Sequence, residues 1–325
     1  MSKRTADETH EIARSGIDGG ATDTSSQAET GHLLGAGDIR RIADEAGISP
    51  TKKFGQNFVI DPGTVRRIVR EADADAGTTV LEVGPGLGSL TLALLETGAN
   101  VTAVEIDPAL AERLPQTVAQ FMPEAVGRLT VVQADALSLS PETLPQFAPD
   151  PHGANPFTLV SNLPYNVATP IVLTLLERFR NLSHFLVMVQ KEVADRLVAT
   201  PGTKIYGAPS VKLAWYGRAE RAGLVGRNVF WPAPNVDSAL VSFTRDRDAE
   251  GEEPGENASD ANREKVFELI DAAFGQRRKT LHAALKKLVP TEAFQAAGID
   301  PKRRGETLTI DEFTALANAA GQATA

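Results

Sequence analysis

The stretch VLEVGPGLGSL (80–90) sets Gly84, Gly86 and Gly88 between an apolar, β-rich run and an amphipathic one. Glycines so placed let a strand turn sharply into a helix and bring backbone close to a ligand with no Cβ between them. Glu105 stands twenty-one residues after Gly84, at the end of the next β-rich run. A carboxylate there can accept hydrogen bonds from both ribose hydroxyls of an adenosyl group. The spacing is G-x-G-x-G, not the G-x-G-x-x-G of pyrophosphate binders. Glu82, just ahead of the turn, would repel a pyrophosphate but suits the ammonium or sulfonium of S-adenosylmethionine. Asp135, after a third β-rich run, can either meet the adenine amino group or cap the following turn. For this half of the chain alone, a nicotinamide-dependent dehydrogenase is the second reading.

The second group is SNLPYN (161–166), directly after a fourth β-rich run. It resembles the amino-methyltransferase motif Asp/Asn-Leu/Pro-Pro-Tyr/Phe in its Asn-Leu-Pro-Tyr form. The residue types suit transfer of a methyl group to an exocyclic adenine nitrogen, a poor nucleophile because its lone pair is conjugated into the ring. The Asn162 side-chain oxygen and the Leu163 carbonyl can hold the two amino hydrogens and favour a tetrahedral nitrogen. Pro164 stiffens the turn, and Tyr165 offers a face on which an extruded base can stack, worth about 1–3 kcal/mol. Catalysis of this kind is alignment for in-line transfer, without a covalent enzyme intermediate.

These residues need a scaffold, and the pattern supplies one. TVLEVG (79–84), VTAVEI (101–106), LTVVQA (129–134), FTLVSN (157–162) and HFLVMVQ (184–190) are short β-rich runs separated by the amphipathic stretches 89–97, 108–120 and 169–179. Buried strands alternating with helices indicate a parallel, doubly wound sheet. VKLAWYG (211–217) and SALVSFT (238–244) read as an antiparallel hairpin closing its edge, giving seven strands. Residues 263–288, interrupted at Gly275, with 292–298 and 309–320, read as a small helical domain. The fold class is thus α/β, a seven-stranded Rossmann-like class I methyltransferase domain with a C-terminal all-helical domain. The expected boundaries are a disordered tail (1–36) with a short helix after it (38–46), a cofactor-binding catalytic domain (37–245), an acidic linker (246–261) and a helical RNA-binding domain (262–325).

The chain of 325 residues contains no cysteine. That excludes disulfides, zinc–thiolate sites and any attack on a pyrimidine ring through a thiol. The five histidines are scattered without metal-ligand spacing, so no metal is expected. No apolar run approaches a membrane span and no signal sequence opens the chain, which points to a cytoplasmic protein without membrane contact. The net charge of −9 is concentrated: residues 1–37 carry −3 and residues 245–264 carry −5. The rest is close to neutral, so an RNA partner stays open.

TKKFGQNFVID (51–61), VLEVGPGLGSL, AVEID (103–107), SNLPYN, MVQKEVADRLVA (188–199), VFWPAPNVDSAL (229–240) and AFGQRRKTL (273–281) together resemble the KsgA group of small-subunit ribosomal RNA adenine dimethyltransferases, over about residues 38–320. The resemblance implies S-adenosylmethionine as cofactor and dimethylation of two adjacent adenosines near the 3′ end of small-subunit rRNA. It implies that Asn57 and Val59 line the methionine end of the cofactor, with the Gly84–Gly86 turn, Glu105, Asp135 and Asn162 completing the site. Phe230 would then be a second aromatic clamp on the base; read without the resemblance, it is equally a core aromatic. Lys52 and Lys53, the helix cations Arg66, Arg67 and Arg70, and the cluster Arg277, Arg278 and Lys279 are candidate phosphate contacts, as are Lys286, Lys287 and 302–304, against the plainer reading of solvated helix faces. The expected partner is the small ribosomal subunit and its rRNA, met by a monomer. Two alternatives stand beside this: the antibiotic-resistance branch acting on large-subunit rRNA, and a ribosome-assembly factor whose methylation is secondary.

Overall fold

The computed structural model describes residues 32–48, 56–148, 155–246 and 260–323. The chain enters through helix α1 (Ala36–Glu45), a two-residue strand β1 (Phe58–Val59) and helix α2 (Pro62–Glu71). Asp61 starts α2 by accepting the Thr64 amide at 2.7 Å, with Pro62 in the first turn where its missing N–H costs nothing. The alternating core follows: β2 (Thr79–Val83), α3 (Ser89–Glu96), β3 (Asn100–Glu105), α4 (Pro108–Phe121), β4 (Leu129–Gln133), β5 (Phe157–Asn162), α5 (Ala168–Arg178) and β6 (Leu182–Gln190). Then come α6 (Lys191–Leu197), α7 (Ala208–Ala214), β7 (Gly217–Val225), β8 (Phe230–Trp231) and β9 (Ser238–Arg245). Helices α8 (Asp260–Gly275), α9 (Leu281–Leu285), α10 (Thr291–Ala296) and α11 (Ile310–Ala323) finish the chain.

The sheet order is β4-β3-β2-β5-β6-β9-β7. Strands β4 to β6 are parallel, and β9 pairs antiparallel with both β6 and β7. The order reverses between β2 and β5, and in such sheets the crevice at the carboxyl ends of the two strands is where ligands bind. One core cluster lies on the α2–α3 side of the sheet and a second lies under α5. Helix α3 is buried almost all round because α2 covers its outer side, which is why its sequence lacks a polar face.

The seven strands are present, but one arises elsewhere than expected. Residues 208–214 of VKLAWYG and its approach form α7, not a strand, and the edge strand is GRAERAGLV (217–225). Pro209 in the first turn starts the helix. Strand β7 is an edge with mixed exposure, so its sequence shows charges where an inner strand would show aliphatics. A second, two-stranded sheet of β1 with β8 was not foreseen. At the N-terminal boundary, Leu33 and Leu34, placed in the tail by composition, are buried in the first core cluster. Residues 1–31 of the tail and 247–259 of the acidic linker lie outside the described residues. A third core cluster serves the helical domain, yet it includes Tyr206 and Val211 from the preceding half.

Candidate active site

The Gly84–Gly88 turn leaves β2 at the crevice. Gly86 has φ 58°, and a Cβ there would lie 2.9 Å from the Phe58 ring. Glycine is therefore required by an aromatic packed over the turn as well as by the backbone angle. Opposite it, the Glu105 carboxylate accepts from the Gly86 amide at 3.2 Å and the Asp107 amide at 3.0 Å. Burial pushes the Glu105 carboxyl above its ordinary range, and these backbone bonds pull the other way. Glu82 is 1% exposed and accepts from Thr91 Oγ1 at 2.6 Å. Burial raises its pKa to about 8; the Thr91 bond opposes this and the nearby Glu105 charge adds to it.

Between β2 and β5 the ladder runs only through Val80–Thr158 and Leu81–Leu159. Beyond it the strands part, and the Val83 amide is taken up by Ser161 Oγ at 2.8 Å while Gly84 N–H donates to Val104 O at 2.9 Å. The turn leans toward β3 and a crevice opens against β5, with the Val83 and Gly84 amides both paired. Asn162 stands on the far lip. Its Nδ2 donates to the Asn57 carbonyl at 3.2 Å, so the side-chain oxygen is the atom left to accept. The Leu163 amide donates to Met188 O at 3.1 Å and its side chain is buried in the second core, fixing the backbone that lines the cleft. The Tyr165 hydroxyl shares a hydrogen bond with Ser238 Oγ at 2.8 Å.

These groups face one cleft of about 290 Å³. It is lined by Asn57, Val59, Glu82, Gly84, Gly86, Glu105, Asp135 and the Asn162–Tyr165 run, with Gln56, Ile106 and others between them. Three carboxylates line it and, among the described residues, no cation. That donor set suits a phosphate-free cationic ligand and disfavours a dinucleotide. Ile106, 47% exposed within the cleft, offers an apolar surface to a purine ring. Asp135 does cap the next turn, its Oδ1 accepting from Leu137 N at 2.9 Å, while it also lines the cleft.

Not every expected residue arrives there. Phe230 is 3% exposed, belongs to the first core cluster and is not among the cleft-lining residues. Its backbone pairs with Val59, and its ring packs into the core behind the loop that carries Asn57 and Val59. Arg277 is also drawn inward: it donates to Glu306 at 2.7 Å and to the Lys204 carbonyl at 2.6 Å, tying the helical domain to the loop before α7. Arg278 and Lys279 are exposed and enter no ion pair among the described residues. Lys52 and Lys53 lie outside the described residues. Sequence reasoning missed Ser161, Thr91, Gln56 and Ser238. Gln56 Nε2 donates to Asp107 Oδ2 at 3.1 Å and so ties the segment before β1 to the turn after β3. Gln56, Ser161 and Ser238 did lie inside quoted motifs, but a polar residue in a motif carries no sign of its partner.

The family model described as ribosomal RNA adenine dimethylase matches residues 49–322. Ribosomal RNA small subunit methyltransferase A of Bifidobacterium longum (strain NCC 2705) is 74% identical over 294 residues, covering 89% of this chain and 94% of that protein. The protein of the same name from Leifsonia xyli is 55% identical, covering 88% and 98%. Among solved structures, the 23S rRNA methyltransferase ErmE aligns with TM-score 0.59 at 27% identity, over 82% of this chain and 100% of that one. A dimethyladenosine transferase from Plasmodium falciparum aligns with TM-score 0.64 at 22% identity, over 80% and 95%, and shares the fold.

Proposed function

The chain belongs to the ribosomal RNA adenine dimethylase family, and from that premise we propose how its cleft divides the work of methylating an adenine amino group. The enzyme is an S-adenosylmethionine-dependent rRNA adenine-N6 dimethyltransferase of the small subunit, acting on two adjacent adenosines near the 3′ end of that RNA. Identity of 74% to a small-subunit methyltransferase, against 27% to a 23S enzyme, sets the large-subunit alternative aside.

S-adenosylmethionine supplies an electrophilic methyl group. The acid-lined wall, with no cation among the described residues, fits it: Glu82 would face positive charge, Glu105 would accept from ribose hydroxyls, Asp135 from the adenine amino group, and Ile106 would lie against the purine. Asn57 and Val59 close the methionine end. On the other lip, the Asn162 oxygen and the Leu163 carbonyl accept the two hydrogens of the target amino group. Held by both, the nitrogen turns its lone pair into the cleft. Tyr165 stacks the extruded base and Pro164 keeps the turn stiff. The observation that carries this reading is the Asn57–Asn162 bond, which turns the amide of Asn162 so that an acceptor is presented to the base. Phosphates are met by Arg278 and Lys279 and by Lys52 and Lys53. The partner is the small subunit during its biogenesis, met by a cytoplasmic monomer; among the described residues no helix is long and apolar enough to cross a membrane.

The test is to incubate the protein with tritiated S-adenosylmethionine and purified small subunits, large subunits or free rRNA, and to map the label by nucleotide. Label on adjacent adenosines near the 3′ end of small-subunit RNA is expected. Label confined to large-subunit RNA, or to another nucleobase, would overturn the assignment.

A further inference from the structure

Tyr165 is tied to a residue far away in the chain. Its hydroxyl lies 2.8 Å from Ser238 Oγ, across 73 residues of sequence. Ser238 is 0% exposed and sits at the first position of β9, in register with Gln190 of β6 on one side and Val225 of β7 on the other. A side chain flanked by two paired strands has no freedom to follow the ring, so the hydrogen bond ties Tyr165 to the sheet itself. The other end of the residue is fixed as well: Pro164 restricts the backbone before it, and the Leu163 amide is bonded to Met188 on β6. The ring is thus held at its root and at its tip by the same part of the sheet.

We propose that Ser238 is a positioning residue for the methyl transfer, holding the Tyr165 ring in the orientation against which the target adenine stacks. This rests on the reading of Tyr165 as the stacking residue. A ring fixed in advance loses little freedom when the base arrives, so the anchor improves use of the substrate without touching it. A phenylalanine would offer the same face but no tip to hold. Burial raises the Tyr165 phenol above its ordinary value while the Ser238 bond opposes this, so the hydroxyl stays protonated at neutral pH and can share the bond.

The experiment compares Tyr165→Phe, Ser238→Ala, the double variant and Tyr165→Ala in the full chain, measuring kcat/KM on small ribosomal subunits, cofactor affinity and Tm. A hydrogen bond of ordinary net worth corresponds to about a 2- to 10-fold change. Each single hydroxyl deletion is expected to lower kcat/KM by that factor, the double variant by no more than either, and cofactor affinity is expected to stay unchanged. Additive losses, or a neutral single deletion beside a crippled Tyr165→Ala, would overturn the anchor. A Tyr165→Ala enzyme with normal kcat/KM would instead overturn the stacking reading beneath it. Should Ser238→Ala lower Tm, Tyr165→Phe alone decides: it deletes only the hydroxyl oxygen and keeps the ring, and a neutral result counts against the proposal.

Discussion

The two lips of the cleft are built differently. On the cofactor side the two bonds that hold the buried carboxylates are local: Thr91 to Glu82 spans 9 residues and Gly86 to Glu105 spans 19. On the target side they are distant: Asn162 to Asn57 spans 105 residues and Tyr165 to Ser238 spans 73. The carboxylates of one lip are set by a single strand–turn–helix–strand unit, which Ser161 and Gln56 brace from outside. The other exists only when the first strand, β5, β6 and β9 have all come together. Cofactor binding should therefore survive damage that abolishes substrate alignment.

The largest effect tests that separation. Asn162→Ala removes one of two acceptors for the amino group and is expected to lower kcat by about a hundredfold or more. Cofactor affinity, measured by calorimetry, should fall much less than kcat, since Asn162 supports the methionine end through a single bond to Asn57. Parallel collapse of both would show that the lips are one structure. The proposed role of Asn162 would also fail if kcat held.

A second expectation belongs to the cofactor lip alone. With a pKa of about 8, Glu82 carries a proton at neutral pH in the cofactor-free protein. A cationic ligand favours the carboxylate, so binding releases that proton, and affinity should rise by up to about tenfold per pH unit until pH reaches about 8. Titrations in buffers of different ionisation enthalpy would detect the released proton, and Glu82→Gln should abolish it. Affinity that is flat with pH below 8 would refute this. The same group has the opposite sign in folding. Its native pKa exceeds the unfolded value near 4.5, so its contribution to stability is complete below that pH and is lost as pH rises through about 8.

The smallest effect sharpens the target side. Replacing Arg278 and Lys279 together by alanine should weaken rRNA binding a few-fold and flatten its salt dependence by about one to two units of slope. Arg277→Ala should leave that slope unchanged and cost about 0–1 kcal/mol of stability, since its pair with Glu306 is partly exposed. A salt slope that responded to Arg277 alone would reverse the assignment.

The same contrast explains what could be read from the sequence. Gly84, Gly86 and Glu105 were legible because their spacing reflects one local unit. Asn162 and Tyr165 were legible as residue types, but their partners were not. Asn57 acts through a backbone carbonyl, which leaves no trace in residue identity, and Ser238 looks like any serine at the head of a strand. Phe230 could not be placed because only assembled neighbours decide whether an aromatic faces a cleft or a core. VKLAWYG misled because its alternating apolar residues suit a strand, whereas Pro209 opens a helix just before it. The real edge strand carries Arg218, Glu220 and Arg221, where solvent removes the alternation.

The helical domain does not own its interior. Tyr206 and Val211 of the first half lie in the third core cluster, and Phe267 of α8 sits against Trp215 and Tyr216. Arg263 adds an ion pair to Glu177 and Lys212 one to Asp271, both across the same seam. A chain severed between residues 246 and 260 would thus yield two fragments with matching greasy scars, each prone to cling to whatever it met. The two halves are Siamese twins, not neighbours joined by a tether, and the spacing between the helical domain and the cleft is set in the folded protein before any RNA arrives.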